Sequence, residues 1–542
     1  MDHLPQVEII ILLLIVVLAL TTIACRAAIP YPILLVIGGL VLGAVPGLPV
    51  VHLDPGIIFL VFLPPILWSA AYFTSWREFR ADIRPIALLA VGLVLATTAA
   101  VAGVAHAAFP GLDWSVAIVL GAVVSPPDAV SATAVGKQLR LPRRGITILE
   151  GESLVNDATA LVLYRAALGA AVSGTFDLAN TLVDFFLAAI LGVAVGFLVG
   201  RITRWVLRLT VDSFSEIAIT LLAPYIAWVL AEKAHASAVL ACVTGGLYLR
   251  RHFSALVTPA TRVQARAVWD LLVFILNGII FILIGLQLGA LREAIPVSEL
   301  WPLTVKGLLI VATVILVRMV WVPVAAWLPR RLSASLRRRD PIPPWSNLFI
   351  IGWTGMRGIV SLAAALALPV ATADGTPFPL RTEILLITFM VILITLVAQG
   401  VTLPFLVRAL NIGEDRSLEG EEREARERAV TAALARLDEV LEEDWANPDH
   451  VQQLRAHYGD RQERYRSLGE QDLVCSQQVA DAFKRLRHET LTAERLALID
   501  LRNDGVISDE VLHLLEHELD IEALRMGVGE LRLASSRHTL RR

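Results

Sequence analysis

The chain has 542 residues, 56% of them hydrophobic, and a mean hydropathy of +0.66, which excludes an ordinary water-soluble enzyme of this length. The formal net charge is only −3, but residues 1–410 carry 28 Lys+Arg against 21 Asp+Glu, whereas residues 411–542 carry 19 against 29. An apolar, weakly basic region therefore precedes an acidic, polar one, and neither nucleic acid nor a cofactor is an expected partner.

The first apolar run, after Glu8, has no basic segment before it and no small-residue cleavage site, and reads as a retained span rather than a signal peptide. About 20 apolar residues cross a bilayer. Thirteen such segments follow one another at 8–25, 30–48, 55–73, 85–108, 114–136, 145–170, 180–200, 213–231, 236–250, 266–289, 301–328, 345–370 and 383–407, the ninth being the shortest. The expected fold class is an all-α polytopic membrane protein with about 13 transmembrane helices and a helical tail. Alternate loops are basic: Arg26; Arg77, Arg80 and Arg84; Lys137, Arg140, Arg143 and Arg144; Arg201, Arg204 and Arg208; Arg250, Arg251, Arg262 and Arg266; Arg330, Arg331 and Arg337 to Arg339. Positive loops stay in the cytoplasm, so an odd span count puts the N-terminus outside and the tail inside. The cysteines, Cys25, Cys242 and Cys475, are scattered and form no CxxC pair.

The fifth span is interrupted by Pro126-Pro127, and the twelfth by Gly352, Gly355 and Gly358 with Arg357 among them. Read as six spans, a linker and six, these breaks fall at corresponding positions. That is the sequence sign of inverted repeats carrying a site on discontinuous helices. Carboxylates lie in the middle of two neighbouring spans: Asp128 in the fifth, Glu152 and Asp157 in the sixth. A charge at mid-bilayer costs roughly 2.5–3.5 kcal/mol on insertion scales and marks function or a buried partner. Ser153 and Asp157 share a helical face, with Asn156 beside them. Their hydroxyl, amide and carboxylate oxygens suit Na+ or Li+, so Asp157, Ser153 and Asp128 are the expected metal ligands. Asp128, after two prolines, also suits the cap of a half-helix, and Asn156 a packing amide. Glu152 lies about 140° around the helix from Asp157 and needs a cation, for which Arg318 and Arg357 are the deep candidates. Two deep arginines against three deep acids leave one carboxylate to be shared by a proton and a metal cation. The tail from Asn411 carries Glu and Arg at i,i+3 and i,i+4 spacing, the pattern of solvated helices.

Four motifs carry a resemblance: FLPPIL (Phe62 to Leu67), VSPPDAV (Val124 to Val130), GESLVNDATALVLY (Gly151 to Tyr164) and GWTGMRGIVSLAAALALP (Gly352 to Pro369). Together they resemble the monovalent cation:proton antiporter-1 family, bacterial Na+/H+ antiporters with a helical cytoplasmic tail. The resemblance implies a multi-pass homodimer of the inner membrane that exchanges Na+, or Li+ or K+, for H+ by alternating access, in pH and sodium homeostasis. It implies an antiporter domain over 1–410, with a mobile core at about 85–170 and 301–408 built on two crossed unwound helices, followed by the cytoplasmic domain 411–542. It carries the ion-binding aspartate onto Asp157, its partners onto Asn156 and Ser153, and the unwound-helix aspartate onto Asp128. It also carries a supporting ion pair onto Glu152 and Arg318, and the helix-crossing arginine onto Arg357. An Asn-Asp pair is similar to that of electroneutral members. The sequence departs from many relatives at Pro126, where they have Thr or Ala, and from eukaryotic relatives at Ser69, where they often carry an acid. The alternatives are a potassium/proton antiporter, a Na+-coupled symporter and a channel. A symporter needs a larger polar cavity than these spans line, and the tail lacks the Gly-rich nucleotide fingerprint of potassium-efflux antiporters.

Overall fold

The computed structural model describes residues 4–525 except 28–29, 44–55, 57, 129–132, 134–135, 137–140, 174–177, 211, 254–255, 294–295, 373–374, 413–416, 444 and 468–472. These residues form helices, no strand and one isolated bridge, Ala371 to Pro377. The chain divides into two compact units, Met1–Asp415 and Arg416–Arg542.

The first unit contains α1 (Leu4–Ala27), α2 (Tyr31–Gly43), α3 (Ile58–Phe73), α4 (Ile83–Ala108), α5 (Trp114–Val124), α6 (Arg143–Ser173) and α7 (Leu178–Leu207). After them come α8 (Ser213–Lys233), α9 (Ala238–Phe253), α10 (Pro259–Glu293), α11 (Val297–Leu332), α12 (Trp345–Trp353), α13 (Ile359–Leu366) and α14 (Arg381–Ala409). Six of these, α4, α7, α8, α10, α11 and α14, are long and apolar enough to cross a membrane. Helix α6 has the length but not the hydropathy, because Glu152, Asn156 and Asp157 interrupt it. Three helices contain a π-helical turn, Ile58–Phe62 in α3, Leu88–Leu93 in α4 and Thr395–Gln399 in α14, a distortion that collects at functional places.

Local chemistry explains the boundaries. Pro64-Pro65 open the regular part of α3, where prolines cost least. Asp212 caps α8, its carboxylate accepting from the Ser215 amide at 2.9 Å. The two predicted breaks are real. Helix α5 stops at Val124, and Ser125 to Asp128 are not helical. Thr354 to Gly358 separate α12 from α13. The half-helix that Asp128 was expected to cap falls mostly outside the described residues.

Small residues set the tightest packing, as they do where helices associate in lipid. A Cβ on Gly39 of α2 would lie 2.2 Å from the Ile282 carbonyl of α10, and one on Gly285 would lie 2.2 Å from the Val36 carbonyl. Gly192 and Gly196 of α7 admit the Ser237 and Ala241 carbonyls at 2.5 and 2.3 Å in the same sense. One hydrophobic cluster joins α1–α3 with α8–α10, and a second joins α4, α5, α11 and α14. Helix α6 contributes to both, Leu154 and Ala158 to the first, Tyr164 and Ala167 to the second. Its mid-helix acids are thereby held between two apolar masses.

The second unit has α15 (Ser417–Val440) packed on α16 (Pro448–Ser467) and α17 (Leu473–Asn503) packed on α18 (Asp509–Arg525). Arg426–Glu422 and Arg428–Glu424 are i,i+4 pairs on its surface. Arg455–Asp438 at 3.0 Å and Arg487–Glu522 at 2.9 Å tie the helices of each pair.

Candidate functional site

The two broken segments meet. The Asp128 amide donates to the Met356 carbonyl at 2.7 Å. The fully buried Arg357 guanidinium donates from Nε to the Val124 carbonyl at 3.1 Å, from Nη2 to the Ser125 carbonyl at 3.5 Å, and from Nη1 to the Gly355 carbonyl. Carbonyls at a helix C-terminus have no intrahelical donor, and that end carries partial negative charge. Arg357 meets both needs at the end of α5. Conversely, Asp128 sits where α13 begins: a Cβ on Gly358 would lie 2.2 Å from its Oδ2. The carboxylate thus lies against a helix N-terminus, the electrostatically favoured end for an acid. Gly355 has the same kind of role, since its Cβ would come within 2.3 Å of Arg318 Cδ.

Helix α6 passes alongside. The Asn156 amide donates to the Pro127 carbonyl at 2.8 Å, which braces α6 against the first break. Its Oδ1 is buried without a hydrogen-bond partner. Glu152 and Arg318 form a two-pronged pair, with Nη2 to Oε2 at 2.9 Å and the second contact between Nη1 and Oε1. Each side chain is only 1% exposed. Arg318 also donates to the Ile351 carbonyl at 3.2 Å, so the pair holds α6, α11 and α12 together. Among the described residues Asp157 has no ion pair. It is 6% exposed and feels the charge of Asp128. Ser153, one turn before Asp157, is half-buried.

Asp128, Asn156, Asp157, Arg357, Pro126 and Pro127 are therefore gathered at one place, with Glu152–Arg318 beside it. The ambiguity over which arginine faces Glu152 is resolved in favour of Arg318. No group of three or more His, Cys, Asp or Glu side chains arranged to hold a metal ion occurs among the described residues. A cation here would meet hydroxyl, amide and carbonyl oxygens as well as carboxylates. Ser69 donates to its own helix at the Ile66 carbonyl, 2.9 Å away.

Sequence reasoning passed over Thr388, Thr395, Gln399 and Tyr31. Thr395, in the π-helical turn of α14, accepts from the Arg357 amide at 3.1 Å. Thr388, Thr395 and Gln399 are buried polar residues in an otherwise apolar helix, and that spacing was the available signal. Tyr31 of α2 lies close to Asn277 of α10 and within electrostatic reach of Asp128. Nothing in the sequence distance between 31, 128 and 277 announces this.

The two helix breaks are pinned to each other beside the acid-bearing α6, and similarity to known proteins gives the family. The chain belongs to the sodium/hydrogen exchanger family, whose transmembrane region matches residues 11–409. It is a multi-pass secondary transporter and not an enzyme. An uncharacterized Na+/H+ exchanger of Mycobacterium tuberculosis is 34% identical over 523 residues, covering 96% of both chains. The sodium, potassium, lithium and rubidium/H+ antiporter of Bacillus subtilis is 29% identical over 549 residues, covering 97% of this chain and 80% of its own. The fold is similar to that of the sodium proton antiporter MjNhaP1 from Methanocaldococcus jannaschii, with a TM-score of 0.60 and 22% identity over 76% of this chain and 98% of that one.

Proposed function

We propose that this exchanger moves one Na+ against one H+ across the inner membrane, with proton and cation competing for Asp157. Li+ and K+ are candidate substitutes for Na+, in keeping with the breadth named for the Bacillus relative. The observation that carries the reading is the pairing of charges. Arg318 is taken by Glu152, and Arg357 by backbone carbonyls, which leaves Asp157 as the acid available to a transported ion. Asp128, Ser153 and the free oxygen of Asn156 complete the ligand set, while Glu152, Arg318, Arg357, Pro126 and Pro127 support it. A cleft of about 830 Å3 between α6 and α7–α9 reaches Leu161, one turn from Asp157, and carries Arg165, Asp184 and Glu232. In this reading it is the aqueous approach to the site.

In this reading the protein has thirteen spans in inverted repeats, with α5 and α12–α13 as the crossed discontinuous pair. It works by alternating access as a homodimer, with the N-terminus outside and the helical tail in the cytoplasm. The test is Asp157→Asn in everted vesicles loaded with a pH dye. Adding NaCl to wild-type vesicles collapses the proton gradient without any organic substrate. The variant, at normal expression, leaves the gradient intact. Full exchange by Asp157→Asn would remove the central claim, and dependence on an organic substrate would make the protein a symporter.

A further inference from the structure

A second site is built at the other end of α6. Asp340, between α11 and α12, accepts hydrogen bonds from Arg84 at 2.6 Å, Arg144 at 2.9 Å and Arg330 at 2.6 Å. Arg144 also holds Asp82 at 2.7 Å, and Arg143 pairs with Glu78. Residues 77–84, 143–144 and 330–340 hold ten arginines against three acids. Arg77, Arg80, Arg331, Arg337 and Arg338 are all exposed. The acids thus organise the cluster without neutralising it. Arg144 keeps nearly half of its side chain, 47%, open, and Arg84 31%.

Directly beneath lies a slot of about 100 Å3 between α4, α6, α11 and α12. Leu89, Ile148, Val322, Ala325, Leu348 and Ile351 line it, with Arg144 at its rim. A cavity walled by carbon does not hold ordered water. Its depth in the membrane is marked by Trp327, 45% exposed and stacked under Arg331, and by Trp345, 64% exposed. Exposed tryptophans of this kind sit at the headgroup level. An apolar slot capped by excess arginine at that level matches an acyl chain joined to an anionic headgroup.

We propose that this slot grips a short segment of one acyl chain of an anionic phospholipid of the cytoplasmic leaflet, its phosphate seated on Arg144 and Arg84. The inference does not depend on which ion is exchanged, only on this basic end meeting that leaflet. The bound chain bridges α6 and α12, touching Ile148 on one and Ile351 on the other. Its inner contact, Ile351, also supplies the carbonyl that holds Arg318, so occupancy braces the broken helix next to the ion site.

The experiment uses the full-length protein in nanodiscs of phosphatidylcholine with or without phosphatidylglycerol, read by retained lipid in native mass spectrometry and by melting temperature. Two arginines near an anionic headgroup, partly offset by Asp340, correspond to a preference on the order of tenfold for phosphatidylglycerol, with a raised melting temperature. Ala325→Phe fills the slot and Arg144→Gln removes the rim charge. Each is expected to abolish the preference. An Ala325→Phe protein that still prefers phosphatidylglycerol overturns the proposal, as does a wild type that retains both lipids equally. Equal protection by inorganic phosphate would make this an anion site and overturn the lipid assignment. If either variant fails to fold, the other variant and the wild-type lipid comparison decide it.

Discussion

Removing half of the Glu152–Arg318 pair tests the architecture of the site most directly. Both side chains are 1% exposed and the contact is two-pronged. Deleting one partner of such a pair typically costs about 3–5 kcal/mol, because the survivor is a buried charge without compensation. The structure predicts that the two deletions differ. Glu152 also acts electrostatically on Arg357, which Arg318 repels. Glu152→Gln therefore leaves two buried guanidinium groups facing each other, and is expected near the upper end, about 5 kcal/mol. Arg318→Gln leaves one carboxylate still facing Arg357, and also withdraws the donor from the Ile351 carbonyl. Its cost is expected nearer to about 3 kcal/mol. The double variant removes both charges and should lose clearly less than the sum, with a coupling of at least about 2 kcal/mol. Thermal unfolding of the four proteins in detergent, together with expression yield, gives the cycle. Strict additivity would mean that the pair does not act as a unit, and equal single losses would remove the role assigned to Arg357.

Three further outcomes follow from the same geometry. Gly358→Ala puts a methyl group 2.2 Å from Asp128 Oδ2, so it should displace that carboxylate and lower Na+-driven proton movement well before it lowers yield; unchanged exchange would show that the Asp128 position is not required. Asp340 is pushed up by burial but held below the usual carboxylate range by Arg144, Arg330 and Arg84. A depressed folded value stabilises the protein above the unfolded value of about 4 and loses that contribution as pH falls through the folded one. Asp340→Asn should therefore lower the melting temperature at pH 7, with the gap to wild type closing below about pH 4; a gap independent of pH would contradict the ion-pair account. A periplasm-activated reporter fused after Arg416 should stay silent, and a signal there would reverse the predicted orientation of the tail.

The helical membrane class, the sites of both helix breaks and the burial of Glu152 and Asp157 were legible in the sequence because each is a local violation of what lipid tolerates. Paired prolines, a run of glycines and a mid-span carboxylate stand out against an apolar background whatever the rest of the chain does. The spacing within α6 put Ser153, Asn156 and Asp157 together and turned Glu152 away, since helical periodicity fixes faces within one element. Contacts between elements were beyond such reasoning. That Arg318 rather than Arg357 faces Glu152 came from the family resemblance and not from periodicity; that Arg357 ends α5, that Gly358 admits Asp128, and that Thr395 holds the Arg357 amide depend on how helices far apart in sequence cross. The arginine cluster at the basic end is the clearest case. The sequence showed it as loop charge that sets orientation, but the three arginines on Asp340 come from positions 84, 144 and 330. Only packing of α4, α6 and α11 brings them to one carboxylate above one apolar slot, because the attraction between charges depends on their separation in space and not along the chain.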